Sequence, residues 1–385
     1  MELQIYDASI GDGDTWADCS LEGKHKDGIS VEDAQDNLGL PRHPTMSMYE
    51  QPGGTTIRAS NYRVSAGYAR AVALCIELSS NVTALEFSGA ALDGAALAII
   101  VEALKKSSVK RLHVDFNRSA SLDANILTGL VSLPTVETLS LRGNELDGKA
   151  VALRLISDCP ALTSLSLYRN NLGDDGCRAV LRALRYNRRL RHLSLGGNCA
   201  SNTLLNEALA AVTRYKMDEE GAKQRAEVIM ARTSGGAGTE DSSKKTKKKG
   251  KHKDDGAGSA VGGDLDKIIS GGVRVHSNDE VDTGKNSEEE GLGKMLAQSG
   301  TILVGTRTLV TLDLSGNPEM GSSSSAQASE DAIAAFVESE TAVADMVSGV
   351  LTCLKLDNCG LSEKSIANLN AAIGKAKSAR AALAQ

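Results

Sequence analysis

Residues 162–172, LTSLSLYRNNL, place leucine at Leu162, Leu165, Leu167 and Leu172 and break the series with Asn170. The frame L-x-x-L-x-L-x-x-N-x-L returns, with conservative replacements, from Val82, Val109, Val136, Leu190, Leu309 and Leu351. The first five starts are separated by 27, 27, 26 and 28 residues. A fixed period of this size predicts structural repeats that stack on one another, because one such unit cannot bury its own apolar face. Leu165 and Leu167 lie two apart, so both point to one side of a short strand while Ser166 points to the other. Asn170 is expected to turn the chain and to supply hydrogen bonds to backbone left unpaired at the strand's end. Cys359 takes that place in the last repeat.

Each strand is followed by an amphipathic stretch. In the fourth repeat this is DDGCRAVLRALRYNRR, with Val180, Leu181 and Leu184 on one helical face. Asp174 and Asp175 precede it, where carboxylates favour the positive end of a helix. Strand, turn and helix in about 27 residues imply an α/β solenoid, with parallel strands on a concave face and helices on a convex one. Helices are wider than the ~4.8 Å strand spacing, so the expected stack is a horseshoe.

Repeats of this length ending in N-x-L-x-x-x-G, as in NELDG and NNLGDDG, resemble the ribonuclease-inhibitor-like subfamily of leucine-rich-repeat proteins. The resemblance covers roughly residues 64–215 and 288–375 and implies a protein-binding horseshoe. A short horseshoe with a lysine-rich insertion is also similar to leucine-rich-repeat proteins of the ciliary axoneme. That likeness implies a non-enzymatic scaffold in a cytoskeletal assembly. Ran GTPase-activating proteins share the repeat length, which makes regulation of a small GTPase the alternative. Those proteins carry an acidic tail after the repeats, whereas this chain ends GKAKSARAALAQ.

The organisation read from the sequence has four parts. Residues 1–60 hold 11 acidic against 4 basic side chains and little periodicity, so they read as an acidic, mostly disordered arm. Residues 61–215 carry a helical cap, from VSAGYARAVALCIEL, and five repeats. The step from Leu190 to Leu309 is 119 residues and lacks the repeat frame, so residues 216–287 read as a low-complexity insertion within the fifth repeat. Residues 288–385 hold two further repeats and a closing helix. The sixth repeat is 42 residues long because of a second insertion, EMGSSSSAQASED, and both insertions are expected to be disordered. Both insertions are expected to follow strand ends.

Composition excludes several functions. No apolar run approaches the ~18 residues of a membrane span, and the N-terminus lacks the pattern of a secretory signal. Seven cysteines without paired spacing point to reduced thiols, hence to cytoplasm. The six histidines are scattered, and no glycine-rich phosphate loop, calcium loop or metal-ligand spacing is present. No catalytic, cofactor or metal residues are therefore assigned. The tract KKTKKKGKHK, with seven lysines in ten residues, reads as a solvated spacer, an electrostatic tether or a nuclear address. Without interleaved aromatics, specific nucleic-acid binding is not expected.

Two candidate contact sites remain for an acidic surface, that of a protein partner or, for the second site, the chain's own residues 1–60. On the strand face, Tyr168 with Arg142 and Arg169 has the composition of an interface anchor. On the fourth repeat's helix, Arg178, Arg182, Arg185 and Arg189 fall at steps of four, three and four. They are expected to share one exposed face, with only Asp174 and Asp175 near enough to pair with.

Overall fold

The computed structural model describes residues 28–117, 129–130, 133–146, 161–184, 187, 189–216, 219, 222–223, 302–322 and 324–383. Among these, a nine-stranded sheet runs in chain order, interrupted only by the insertion. It begins with an antiparallel hairpin of β1 (Ser47–Gln51) and β2 (Gly54–Ser60). Parallel strands then follow: β3 (Val82–Ser88), β4 (Arg111–Asp115), β5 (Thr138–Ser140), β6 (Ser164–Ser166) and β7 (His192–Ser194). Helices α2 (Ala66–Leu78), α3 (Gly94–Leu104), α4 (Gly173–Ala183) and α5 (Asn202–Val212) link successive strands.

The predicted register holds across every repeat. Leu85, Leu112, Leu139, Leu165 and Leu193 pair in line. Leu193 then pairs with Leu312 of β10 (Thr311–Asp313), and Leu312 with Leu354 of β11 (Cys353–Lys355). These leucines form one buried layer, and Phe87, Val114, Leu141, Leu167, Leu195, Leu314 and Leu356 form the next. Each such side chain contributes about 1.5–3 kcal/mol of apolar burial.

The asparagines form a ladder. The backbone N–H of Asn117 donates to Oδ1 of Asn144 at 2.8 Å. Asn144 donates in the same way to Asn170 at 2.9 Å, Asn170 to Asn198 at 2.8 Å, and Asn198 to Asn317 at 2.8 Å. Each Nδ2 donates backward to a strand carbonyl, as from Asn170 to Leu141 at 2.8 Å. Cys359 ends the ladder, its Sγ 3.2 Å from the Leu314 carbonyl oxygen. The ladder groups are buried, so water cannot replace them.

Three expectations are corrected. The first is the disordered arm: residues 28–60 are ordered as α1 (Val31–Asn37), β1 and β2. β2 is a repeat strand without leucines, because Ile57 pairs with Leu85 and Ala59 with Phe87. The Pro-Gly-Gly stretch that reads as disorder is its hairpin turn, with Gly53 and Gly54 at φ +99° and +130°. Residues 1–27 lie outside the described residues.

The second correction concerns the large insertion, which follows a completed helix rather than a strand end. Past α5, β8 (Arg214–Lys216) pairs antiparallel with β9 (Ile302–Val304), and the two form a neck. The boundary expected at 216 coincides with the end of β8; the one expected at 288 and the lysine tract lie outside the described residues. The third is the sixth repeat, whose extra length is structured. A 3₁₀ turn (Pro318–Gly321) leads to α6 (Ala326–Glu338) and α7 (Glu340–Ser348). Asp345 of α7, 4% exposed, accepts from both the backbone N–H and Nε of Arg214 at 2.9 Å and so holds the neck. The expected closing helix is α8 (Glu363–Leu383).

Two predictions follow from this packing. Asn170→Ala leaves the Asn144 N–H and the Leu141 carbonyl buried without partners, at about 1–3 kcal/mol each. Urea unfolding should therefore show a loss of about 2–6 kcal/mol, whereas Cys359→Asn, which extends the ladder, should lose nothing.

The second prediction concerns His43 in the cap. Its Nδ1 accepts from the N–H groups of Met46 and Thr45 at 3.0 and 3.3 Å, and Nε2 lies 3.1 Å from the Arg63 carbonyl. The rings of Tyr62 and Tyr68 pack edge-on against it. Burial holds its pKa below the ordinary 6.5, against the pull of the Arg63 carbonyl. The unfolded chain thus takes up the proton first, so the contribution is complete above about pH 6.5 and is lost as pH falls below it. Hydrogen exchange over residues 29–60, corrected for intrinsic rate, should quicken on acidification in the wild type and not in His43→Phe.

Candidate contact surface

The strands present their outward side chains in rows. Glu86, His113, Ser140, Ser166, Ser194, Asp313 and Lys355 align in one row, as the repeat frame predicts. The next reads Ser88, Asp115, Arg142, Tyr168, Gly196, Ser315 and Asp357. A third row follows where the chain leaves each strand: Gly89, Phe116, Gly143, Arg169, Gly197, Gly316 and Asn358. Backbone bonds fix the last two rows against each other, as from Phe116 N–H to the Arg142 carbonyl, Gly143 to Tyr168 and Arg169 to Gly196.

Every residue of the third row has a left-handed backbone, with φ between +56° and +73°. The turn demands this conformation, and glycine adopts it without steric penalty. Phe116 and Arg169 adopt it at about 1–2 kcal/mol each. Their neighbours make room for them. A Cβ on Gly143 would come within 2.4 Å of the Phe116 ring, and one on Gly197 within 2.9 Å of Arg169 Cγ.

Tyr168 lies over Gly196, whose added Cβ would meet the ring at 2.9 Å. The guanidinium carbons of Arg142 and Arg169 lie 5.1 and 5.4 Å from the Tyr168 ring centroid. Each such contact contributes about 0.5–1 kcal/mol at an exposed site. The structure thus brings together Arg142, Tyr168 and Arg169 and adds Phe116, which is 42% exposed. Among the described residues neither guanidinium forms an ion pair. Elsewhere arginines do, as in Arg42–Asp36, Arg58–Glu86, Arg63–Asp93 and Arg214–Asp345. Asp115 is adjacent, but one of its oxygens already accepts from the Ser140 hydroxyl at 2.6 Å and the Arg142 N–H at 2.9 Å. The sequence pattern singled out Arg169 of this row but not Phe116, for which the signal was the same, a bulky residue where most repeats have glycine.

The helical arginines do not form the expected stripe. Helix α4 ends at Ala183, and Arg189 lies in the turn toward β7, where Asn187 Oδ1 accepts from its N–H at 2.8 Å. Arg185 lies outside the described residues. Arg182 is 6% exposed. Nor are Asp174 and Asp175 the only acids at hand. Glu207 of α5 lies 3.2 Å from Arg182 and 3.6 Å from Arg178, which also lies 3.6 Å from Asp175. Asp174 is engaged elsewhere, accepting from the backbone and hydroxyl of Ser201 at the start of α5, both at 2.7 Å. The next repeat supplies what one helix, considered alone, lacks.

Other chemistry is limited. Burial pushes the Cys75 and Cys177 thiols up to about 12, which keeps them protonated and unreactive at neutral pH. Among the described residues no group of three or more His, Cys, Asp or Glu could hold a metal ion, and no helix is long and apolar enough to cross a membrane.

The pairing of Arg182 generates a prediction. Arg182→Glu opposes Glu207 in a buried setting and should cost about 3–5 kcal/mol, while Arg189→Glu should stay within about 0.5 kcal/mol. Thermal unfolding of the two variants distinguishes a packed pair from a solvated stripe.

Comparison with known proteins agrees with the geometry. Residues 158–181 match a family model described as Leucine Rich repeat. A search of curated proteins finds no match. The matched segment is one turn of the pattern that the asparagine ladder carries through its neighbours, and together they support a leucine-rich-repeat protein.

Proposed function

We propose that the protein is a non-enzymatic interaction scaffold that docks on an acidic protein partner through the rim formed by Phe116, Arg142, Tyr168 and Arg169. One observation carries this reading: two guanidiniums lie against one tyrosine ring, and among the described residues neither forms an ion pair. Aromatic residues and arginine are the side chains that dominate protein interfaces, and arginine is suited to bidentate contact with carboxylates. The matched repeat family supports a protein-interaction role of the same kind. A ribonuclease-inhibitor-like horseshoe, a cytoplasmic location and a place in a larger axonemal or cytoskeletal assembly belong to this proposal. Arg178 on α4 and Arg189 in the turn toward β7 are further contact candidates, whereas Arg182 has a structural role in its pair with Glu207.

The double charge reversal Arg142→Glu with Arg169→Glu tests it. Loss of two interface anchors at about 2 kcal/mol each corresponds to several hundred-fold weaker binding. Quantitative affinity purification from the native source should therefore lose the wild-type partner set while the protein stays folded, its melting temperature falling by no more than a few degrees for the two lost cation–π contacts. Retention of the full set would overturn the proposal.

A further inference from the structure

Five of the seven turn positions beyond the strands hold glycine or asparagine, the residues most at ease in a left-handed backbone. The other two, Phe116 and Arg169, are two strands apart with Gly143 between them. At ~4.8 Å per strand their backbones are about 10 Å apart along the sheet. On the strand side of Arg169 lies the Tyr168 ring with Arg142 against it. The rim thus offers an exposed apolar plate at one end and a cationic bracket at the other.

We infer that this rim binds a short extended segment of a protein partner, with a carboxylate between Arg142 and Arg169 against Tyr168 and an apolar side chain on Phe116, three residues apart. The inference rests on the scaffold reading and specifies its ligand. The spacing comes from the geometry. An extended polyproline-type segment presents every third side chain on one side, at ~3.1 Å per residue and hence about 9 Å apart. A carboxylate gives the unpaired guanidiniums a planar acceptor that matches their donors. A nucleic acid fits less well, because it needs a continuous row of cations. Here the two arginines are bordered on the same face by Asp115 toward one end and by Asp313 and Asp357 toward the other. A single carboxylate fits between these; a polyanion meets them.

The test uses the full chain and immobilised eight-residue peptides of Ser and Pro carrying one Leu and one Glu, separated by one to five positions in either order. Spacing three should bind best, at least tenfold above its Glu→Gln and Leu→Ser versions. Phe116→Gly should abolish the preference for Leu while leaving that for Glu. Arg142→Gln with Arg169→Gln should abolish the preference for Glu while leaving that for Leu. Binding that ignores spacing, or stronger binding to a poly-uridine oligonucleotide or to phosphoserine in place of Glu, would overturn the inference. If spacing is ignored yet Arg142→Glu with Arg169→Glu still strips the native partners, the scaffold reading stands and only the segment falls.

Discussion

The structure depends on what happens to backbone polar groups where each strand ends. A stacked repeat must turn its chain inside the protein, where an unpaired N–H or carbonyl costs about 1–3 kcal/mol. The asparagine carboxamide resolves this from both sides, accepting from the N–H of the preceding repeat's asparagine and donating to strand carbonyls. Because each rung is completed by the adjacent repeat, no repeat is satisfied alone. The ladder passes unbroken from Asn198 to Asn317, although 119 residues separate them. The same logic makes the helix starts interdependent: Asp174 serves Ser201 of the next helix, and Glu330 accepts from the backbone and hydroxyl of Ser362.

The left-handed turn that precedes each rung is the second constraint, and it links fold to surface. It fixes the backbone of the third row whatever side chain is there, so a bulky residue is strained in place and held rigidly outward. Strain of this kind, maintained by surrounding structure, is characteristic of contact sites. Phe116 and Arg169 show it, and the glycines beside them leave the space their side chains occupy. An exposed rim with little conformational freedom loses little entropy on binding.

The insertions show how much this architecture tolerates. After Asn317 the chain meets Pro318, whose ring holds φ near −65°. The equivalent residues Ala91, Glu145, Asn171, Cys199 and Gly360 are all left-handed. The sixth repeat therefore leaves the common path at that residue and makes a 3₁₀ turn and two helices. One of those helices supplies Asp345, which secures the neck of the larger insertion. Two departures from the period thus stabilise each other, while Leu193 and Leu312 keep the sheet in register between them.

The sequence by itself determined the repeat: which leucines face inward, which asparagines turn the chain, that Leu193 and Leu312 are equivalent, and that Arg142, Tyr168 and Arg169 share a surface. These follow from the two-residue period of a strand and from a turn chemistry that recurs in every unit, both local properties of the chain. The tertiary structure alone decided the rest. It showed β2 to be a repeat strand, because pairing with β3, and not leucine content, places Ile57 and Ala59 in the core. It paired Arg182 with Glu207, 25 residues away, and so separated it from Arg189, which helical spacing had grouped with it. It also set Phe116 beside the arginine bracket. A linear pattern records what each repeat needs, but which neighbour supplies it is settled only when the repeats are packed side by side.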